Sequence, residues 1–577
     1  MPPRTNDSLQ ARLLRRLAQA PEGPALAFAT AEGQYPWRSI SQVLRRAAFA
    51  AERLRESGLR RGGVCVMALS SGEASAHATL GALLLGALPL QAAPPSIQSA
   101  ATSSLGTILE GVVARSRAQV LVQQSAPAQA PRGGPAQLGA AALEGEADPE
   151  RLPPVLPRGE DVAAYQLTSG TTGFPRICVW KQRGVLAALD GMAKAMALSA
   201  FDVCFNWTPL YHDMGLVNNF LLCLTGSVPL AMMGPQDFVR QPSSWLRGLH
   251  DTGSTLTWSP NFGFALAAQR AEEAELQGIR LEGVRAFWNA AERIHLKTME
   301  DFYARFSPYG VCWEALKTNF GCAENVGGAT FSDPEGGLVF ERLDPVKLQR
   351  GRAVPAADGA GLPVVSAGRP NPGVKLRILS PRGRELADGR VGEIALLTPS
   401  RLVGYLDDAA STRKAIRGKY LVPGDLGYLR GRELFWVGRS SERISVHGRK
   451  LDPSDFEAVL HAVRDVRPGC FAAFGVDDAR RGTQRVVLVT EVKQPLRRPP
   501  EVIQGEIRRQ AYGLLGVDLR EVLLAAPSAL AKTSSGKRRH RHFRQLYESG
   551  ALAPLLLGAE HPRAPKEGRE TTGRKPG

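Results

Sequence analysis

The chain has 577 residues, too many for one ordinary hydrophobic core, and its 44% apolar residues are enough to fill two or more domains. Its seven cysteines are scattered and odd in number, with no Cys-x-x-Cys pair. That excludes a disulfide framework and a cysteine zinc site, and predicts a reducing, cytoplasmic setting. A net charge of +17 raises nucleic acid as a partner, but the arginines are dispersed and no basic stripe carries interleaved aromatics, so no nucleic-acid function is expected.

In chain order, Leu9, Leu13, Leu14 and Leu17 predict one face of an N-terminal helix, with Arg12, Arg15 and Arg16 elsewhere. No secretory leader is expected, because Arg4 is followed by no apolar stretch. The apolar run Ala78 to Ala93 contains Gly81, Gly86 and Pro89; it predicts a buried helix running into a strand rather than a stable membrane insertion. The Gly/Pro/Ala-rich residues 125–160 predict a long surface connection. Then Val162–Leu167 and Ile177–Trp180 read as strands flanking Thr168-Ser-Gly-Thr-Thr-Gly-Phe-Pro-Arg176. Gly170 and Gly173 let backbone approach a phosphate, and Thr168, Ser169, Thr171 and Thr172 add hydroxyl donors, the makings of an anion-binding nest. This is not a Walker-type loop, since Gly-x-x-x-x-Gly-Lys-Ser/Thr is absent.

Further along come Trp207-Thr-Pro-Leu-Tyr-His-Asp-Met-Gly-Leu216, Asn289-Ala-Ala-Glu292, Asn319-Phe-Gly-Cys-Ala-Glu324, Gly424-Asp-Leu-Gly-Tyr428, Gly438-Arg-Ser-Ser-Glu-Arg-Ile-Ser-Val-His-Gly448 and Lys532-Thr-Ser-Ser-Gly-Lys537. In this order the segments resemble the motifs of the adenylate-forming superfamily of acyl-CoA synthetases, peptide-synthetase adenylation domains and luciferases, over roughly residues 20–545. Pro209–Leu216, Gly234–Leu246, Ser259–Phe262 and Ala323-Glu324 are most similar to fatty acyl-AMP ligases. So is the extra stretch 331–366, which in those ligases goes with poor use of free CoA and delivery to a carrier-protein phosphopantetheine.

The alternating strand and helix signals predict an α/β chain: a large multi-subdomain N-terminal domain over 1–435 with mostly parallel sheets, a hinge at 436–442, and a small, mobile α+β domain over 443–550 with a strand at 484–491. Residues 559–577 read as a disordered basic tail. No carrier domain is seen after Lys537, so an acyl carrier protein is expected in trans.

The resemblance implies ATP and Mg²⁺ as cofactors and a carboxylic acid as substrate. Lys537 would bridge the attacking carboxylate and the α-phosphate. Glu324, with Thr172, would hold Mg²⁺, and His212 would sit where the carboxylate enters. Thr168 to Gly173 would wrap the phosphates; Asn289, Ala290, Ala291, Asn319 and Phe320 would hold adenine, Asp425 the ribose, and Arg439 the ribose or phosphate. Asn218, Asn219, Trp258 and Trp288 are the expected acyl-pocket residues, a bulky, partly polar set that suits a short or functionalised acid. The chain departs from the family pattern at Arg176, where Lys is usual, at Phe320, where Tyr is usual, at Ser259 in place of Gly, and at Ser441 in the hinge. An acyl-CoA synthetase, an amino-acid adenylating enzyme and a non-catalytic nucleotide- or acyl-binding protein are the alternatives.

Overall fold

A computed structural model describes residues 7–95, 104–126, 133–151, 156–168, 174–357, 359–478, 483–533 and 536–557. Two large, mostly parallel sheets dominate. One runs in the order Arg369–Pro370, Gly327–Phe331, Leu316–Cys322, Ala286–Ala290, Leu256–Pro260, Cys204–Asn206, Leu230–Met232, Pro24–Phe28, Trp37–Ser39. The other runs Gly404–Tyr405, Ile177–Lys181, Val162–Leu167, Leu88–Gln91, Val64–Ala68, Val120–Gln123, Ala136–Gly139. Central strands such as Val64–Ala68 and Leu256–Pro260 are buried at every position, as parallel strands covered on both faces must be. A third large sheet, around Gly392–Leu397 and Asp425–Arg430, is antiparallel throughout.

The expected helix-to-strand run is Glu73–Leu84 followed by Leu88–Gln91. The N-terminal helix is Leu9–Gln19, but Arg16 is buried rather than facing water: its guanidinium donates to the carbonyls of Cys223, Leu224 and Pro24. Residues 136–139, expected within a surface connection, add an edge strand to the second sheet by pairing with Val120–Gln123. The tail expected at 559–577 lies outside the described residues.

Toward the C-terminus, strands Val466–Asp478, Thr483–Val492 and Glu521–Ala525 form a small sheet packed by helices Phe456–His461 and Pro500–Leu515. Its core is not self-contained. Leu343, Leu348 and Leu362 from the 331–366 stretch, and Tyr428 and Phe435 from the antiparallel sheet, share one apolar cluster with Ile444, Phe456 and Leu488. A polar clamp accompanies it: Arg449 donates to Gln349 and to the carbonyls of Leu515 and Gly516, and Gln349 donates to Leu515. Gly438 leads into the expected hinge with φ +145, and a Cβ there would lie 1.5 Å from Asp452 Oδ2, so no side chain fits.

Candidate active site

The site lies where the ends of the two large sheets meet the C-terminal segment. The hairpin Val162–Leu167 / Ile177–Lys181 is closed at its mouth by Thr168 N–H to the Arg176 carbonyl (2.9 Å) and by Arg176 N–H to Thr168 Oγ1 (3.1 Å). Ser169, Gly170, Thr171, Thr172 and Gly173 lie outside the described residues. Gln166, on the same hairpin, donates to the Tyr211 carbonyl (3.0 Å) and so anchors the segment that carries His212.

One cavity is lined by Thr168, Arg176, His212, Asn218, Ala290, Ala291, Asn319, Phe320, Glu324, Asp425, Arg439 and Lys537, which lie far apart in the sequence. Glu324 sits on a short turn after the strand Leu316–Cys322. Trp180 Nε1 holds the carbonyl of Ala323 (2.8 Å), and the Tyr405 hydroxyl donates to Glu324 Oε1 (2.6 Å). The Arg176 guanidinium lies 4.4 Å over the Tyr405 ring. Burial, then the Glu324 charge, pushes the Tyr405 phenol well above its ordinary value, so it stays a donor. Among the described residues Glu324 makes no ion pair, and no cluster of three or more His, Cys, Asp or Glu is present to hold a metal. A buried carboxylate with no ion pair among the described residues, on a cavity wall it shares with Thr168 and Asp425, has the chemistry to hold a magnesium ion.

Asp425 and Arg439 stand opposite each other in the antiparallel pair Asp425–Arg430 / Glu433–Arg439. Asp425 Oδ1 accepts Trp436 Nε1 (2.9 Å) and lies 3.3 Å from Arg439 Nε. Asp425 Oδ2 is buried with no partner among the described residues. Asn319 Oδ1 is a second buried acceptor left open, beside Phe320. Ala291, a non-glycine at φ +73, turns the chain away from the strand and keeps backbone on the wall. Two unfilled acceptors beside an aromatic face suit a ligand that brings donors and a flat ring.

Lys537 enters from the C-terminal segment. Its N–H donates to Thr533 Oγ1 (3.0 Å), and Gly536 before it packs so closely that a Cβ would lie 2.3 Å from the Phe262 ring. Ser534 and Ser535 lie outside the described residues. The ammonium makes no ion pair among the described residues. Burial, then the neighbouring Arg439 charge, lowers its pKa, against the opposing pull of Asp213, Glu292 and Asp425. His212 Nδ1 lies 2.9 Å from Asp213 Oδ1 and 3.2 Å from the Met214 N–H. Burial works to raise the Asp213 carboxyl, but the His212 and Lys537 charges outweigh it and leave it below the usual range.

Four expected site residues are placed elsewhere. Asn289 is in the core, donating to Asn261 Oδ1 and Met299 Sδ (both 3.1 Å). Asn219 turns inward and donates to the Met214 carbonyl (2.9 Å). Trp258 and Trp288 are fully buried and stacked on each other, behind the wall rather than on it. Ser441, expected in the hinge, is exposed after the strand that ends at Arg439. Sequence reading missed Tyr405, Trp436 and Glu442. Trp436 had a signal, since the hairpin brings it beside Asp425; Tyr405 had none.

Glu442, on the cavity wall beside Asp452, Arg439, Asp425 and Arg538, is pushed up to about 7, first by burial and then by Asp452. A folded-state pKa above the unfolded one means the fold holds the extra proton between the ordinary value of 4.5 and about 7, and stability falls as pH rises through that window. Glu442→Gln is expected to flatten that slope. Thermal midpoints measured at several pH values between the two limits check it; an unchanged slope sinks the assignment.

The AMP-binding enzyme family model matches residues 13–406, and the chain belongs to that family. It is similar to the long-chain-fatty-acid–AMP ligase FadD26 of Mycobacterium bovis, 29% identical over 589 residues, covering 96% of this chain and 99% of the relative. It is also similar to the medium-chain-fatty-acid–acyl-carrier-protein ligase TtuA of Teredinibacter turnerae, 27% identical, covering 69% of this chain and 64% of the relative. A solved structure from a study of fatty acyl-adenylate ligases of E. coli and L. pneumophila superposes with TM-score 0.84 at 25% identity, over 95% of this chain and 100% of that one. McyG A-PCP with phenylalanyl-adenylate shares the fold, with TM-score 0.82 at 21% identity, over 95% and 84% of the two chains. No helix among the described residues is long and apolar enough to cross a membrane.

Proposed function

We propose that this AMP-binding enzyme joins a carboxylic acid to AMP and then hands the acyl group to the phosphopantetheine thiol of a carrier protein in the cytoplasm. The observation that carries the reading is the convergence, on one cavity, of an ammonium with no ion pair (Lys537) and two buried acceptors with no donor (Asp425 Oδ2 and Asn319 Oδ1), all among the described residues. Adenine stacks on Phe320 with its amine toward Asn319. A ribose hydroxyl donates to Asp425, which Trp436 and Arg439 hold in place. Thr168 and the loop after it cradle the phosphates, and Glu324 with Thr172 would hold Mg²⁺, which neutralises phosphate charge when bound.

The acid arrives ionised and needs no base. Its oxygen attacks the α-phosphorus, the bond to the bridging oxygen breaks, and pyrophosphate leaves with that electron pair. Lys537 bridges the two anions as charge builds between them, and His212 borders the carboxylate's entry. Rotation of the C-terminal segment about Gly438–Glu442 then withdraws Lys537 and admits the thiol. Support for a carrier acceptor comes from the relative TtuA, named as an acyl-carrier-protein ligase, and from the net charge of +17, which favours an acidic partner. The clamp from Gln349 to Arg449 and Leu515 ties the 331–366 stretch to the moving segment and weighs against free CoA as the acceptor.

ATP–pyrophosphate exchange over fatty, hydroxy, aryl and amino acids tests the first half-reaction. Acyl transfer to a phosphopantetheinylated carrier, run beside free CoA, tests the second. Exchange with one acid class and transfer to the carrier alone are expected. ATP binding without exchange for any acid overturns adenylation, and equal transfer to CoA overturns the choice of acceptor.

A further inference from the structure

His212, Ala291 and Glu292 border two cavities, the one described above and a second that opens beyond it between the large sheets and the C-terminal segment. Phe262 stands on the sheet side of the second cavity, and Lys532 and Gly536 on the segment side.

Local structure holds Phe262 in place. The strand Leu256–Pro260 ends at Pro260 and the helix Asn261–Arg270 starts at once. Phe262 therefore falls in the first helical turn, whose N–H groups have no partner within the helix. Glu292 Oε1 takes the Phe262 N–H at 2.8 Å. Trp207 meets the ring edge-on, with centroids 5.9 Å apart, and is itself stacked on Phe238 at 3.8 Å. A ring tied through its backbone and braced by packed aromatics is a firm surface for whatever lies on it.

What lies on it comes from the C-terminal segment. Gly536, at φ +82, approaches so closely that a Cβ there would lie 2.3 Å from Cε1 and 2.8 Å from Cζ of Phe262. Lys532 Nζ is 5.6 Å from the ring centroid, within reach of a cation–π attraction. The residue after Gly536 is Lys537, whose side chain lines the first cavity. Arg538, by contrast, is tied to its own segment, by an ion pair with Glu457 and by the Phe471 ring 4.6 Å away. Those anchors travel with the segment, whereas the contact on Phe262 joins the segment to the large sheet one residue from Lys537.

Resting on the adenylation reading above, we propose that Phe262 is a positioning residue for Lys537. Its ring is the seat on which Gly536 and Lys532 come down in the adenylating arrangement, and rotation of the segment for thiol transfer leaves that seat empty. Glycine at 536 follows from this contact, since a larger residue meets the ring and must also take a positive φ. Displacing a catalytic group by about 1 Å can cost about 10²-fold in rate, so a contact next to Lys537 has large leverage.

The test measures pre-steady-state acyl-adenylate formation on the full chain and on Phe262→Ala, Gly536→Ala, Lys537→Ala and Phe262→Ala/Lys537→Ala. The acid is the one of the exchange panel that the wild type turns over fastest. Amide hydrogen exchange of the peptide that carries Lys537 is followed in the same proteins without ligand. Phe262→Ala and Gly536→Ala are each expected to slow adenylate formation by about 10²-fold, with KM for ATP nearly unchanged, and to speed exchange at that peptide. Once Lys537 is alanine, Phe262→Ala should add little, because both act through one ammonium. If Phe262→Ala does not fold, Phe262→Leu takes its place. Losses that multiply in the double variant overturn the proposal and leave adenylation standing, as do an unchanged rate and unchanged exchange in the single variants. Absence of adenylate formation by the wild type with every acid of the panel overturns the parent reading and this one with it.

Discussion

Lys537→Ala is expected to slow acyl-adenylate formation by about 10²–10³, or ~3–4 kcal/mol of transition-state stabilisation. The size of the effect follows from the setting. The ammonium lines the cavity without an ion pair among the described residues, and burial beside Arg439 lowers its pKa, so the protein spends stability to keep a cation there. Charge builds on the α-phosphoryl oxygens only as the acid oxygen attacks, so the benefit is largest at that moment. The substitution should therefore lower kcat far more than it raises KM for ATP, because in the proposed complex Asp425, Asn319 and Phe320 hold the nucleoside independently. Transfer from preformed acyl-AMP to a carrier thiol should be nearly unaffected if the proposed rotation withdraws Lys537 in that step. Pre-steady-state adenylate formation, measured beside single-turnover transfer, checks both halves. Equal losses in the two would mean that Lys537 acts through the fold and not on the phosphate.

What the sequence made legible here depended on whether a residue's neighbours lie close in the chain. Asp425 and Arg439 sit on adjacent strands joined by a short turn, and Glu324 follows a strand directly, so local motifs carried them to the cavity wall. Tyr405, which donates to Glu324 across 81 positions, left no local trace. The misplaced residues share a physical reason. In Leu256–Pro260 and Ala286–Ala290 every position is buried, so burial does not tell which side chains reach the cavity: Trp258 and Trp288 stack behind its wall, and Asn289, the next residue after Trp288, points to the other face of its strand toward Asn261 and Met299. Asn218 and Asn219 part ways because the helix widens to a π form, which alters the angle between neighbours and lets the Asn219 amide reach the Met214 carbonyl. The edge strand Ala136–Gly139 was missed because alanine, glutamine and glycine have little preference for a strand and are there by virtue of the strand beside them.

Arg293→Ala is expected to cost about 3–5 kcal/mol, the scale for removing one partner of a buried ion pair. Arg293 follows the strand Ala286–Ala290, while its partners Ser454 and Asp455 lie on the short turn Pro453–Asp455 at the start of the C-terminal segment. Both members of the pair are buried, with side-chain exposures of 4% and 7%. Asp452 is close by, its carboxyl pushed up by burial and then by the Asp455 charge, and Glu442 is raised next to it. Without the guanidinium, Asp455 loses its ion pair beside Asp452 and Glu442, with Arg443 left as the cation near the two aspartates. One of these acids must take up a proton, or the seam they line must open to water. Opening is the easier course, because the strand ending at Arg439 leads into an exposed turn there. The loss should therefore appear first as faster amide hydrogen exchange over residues 440–460, ahead of the two large sheets, and should grow with pH as the acids ionise. Asp455→Asn alone should cost less, and the double substitution should recover part of the Arg293→Ala loss, since the orphaned charge is then gone. A change within about 0.5 kcal/mol, the size of an ordinary surface substitution, with unaltered exchange would mean that the seam is not held by this pair. Movement of the C-terminal segment would then have to be controlled from the Gln349–Arg449 clamp on its other side.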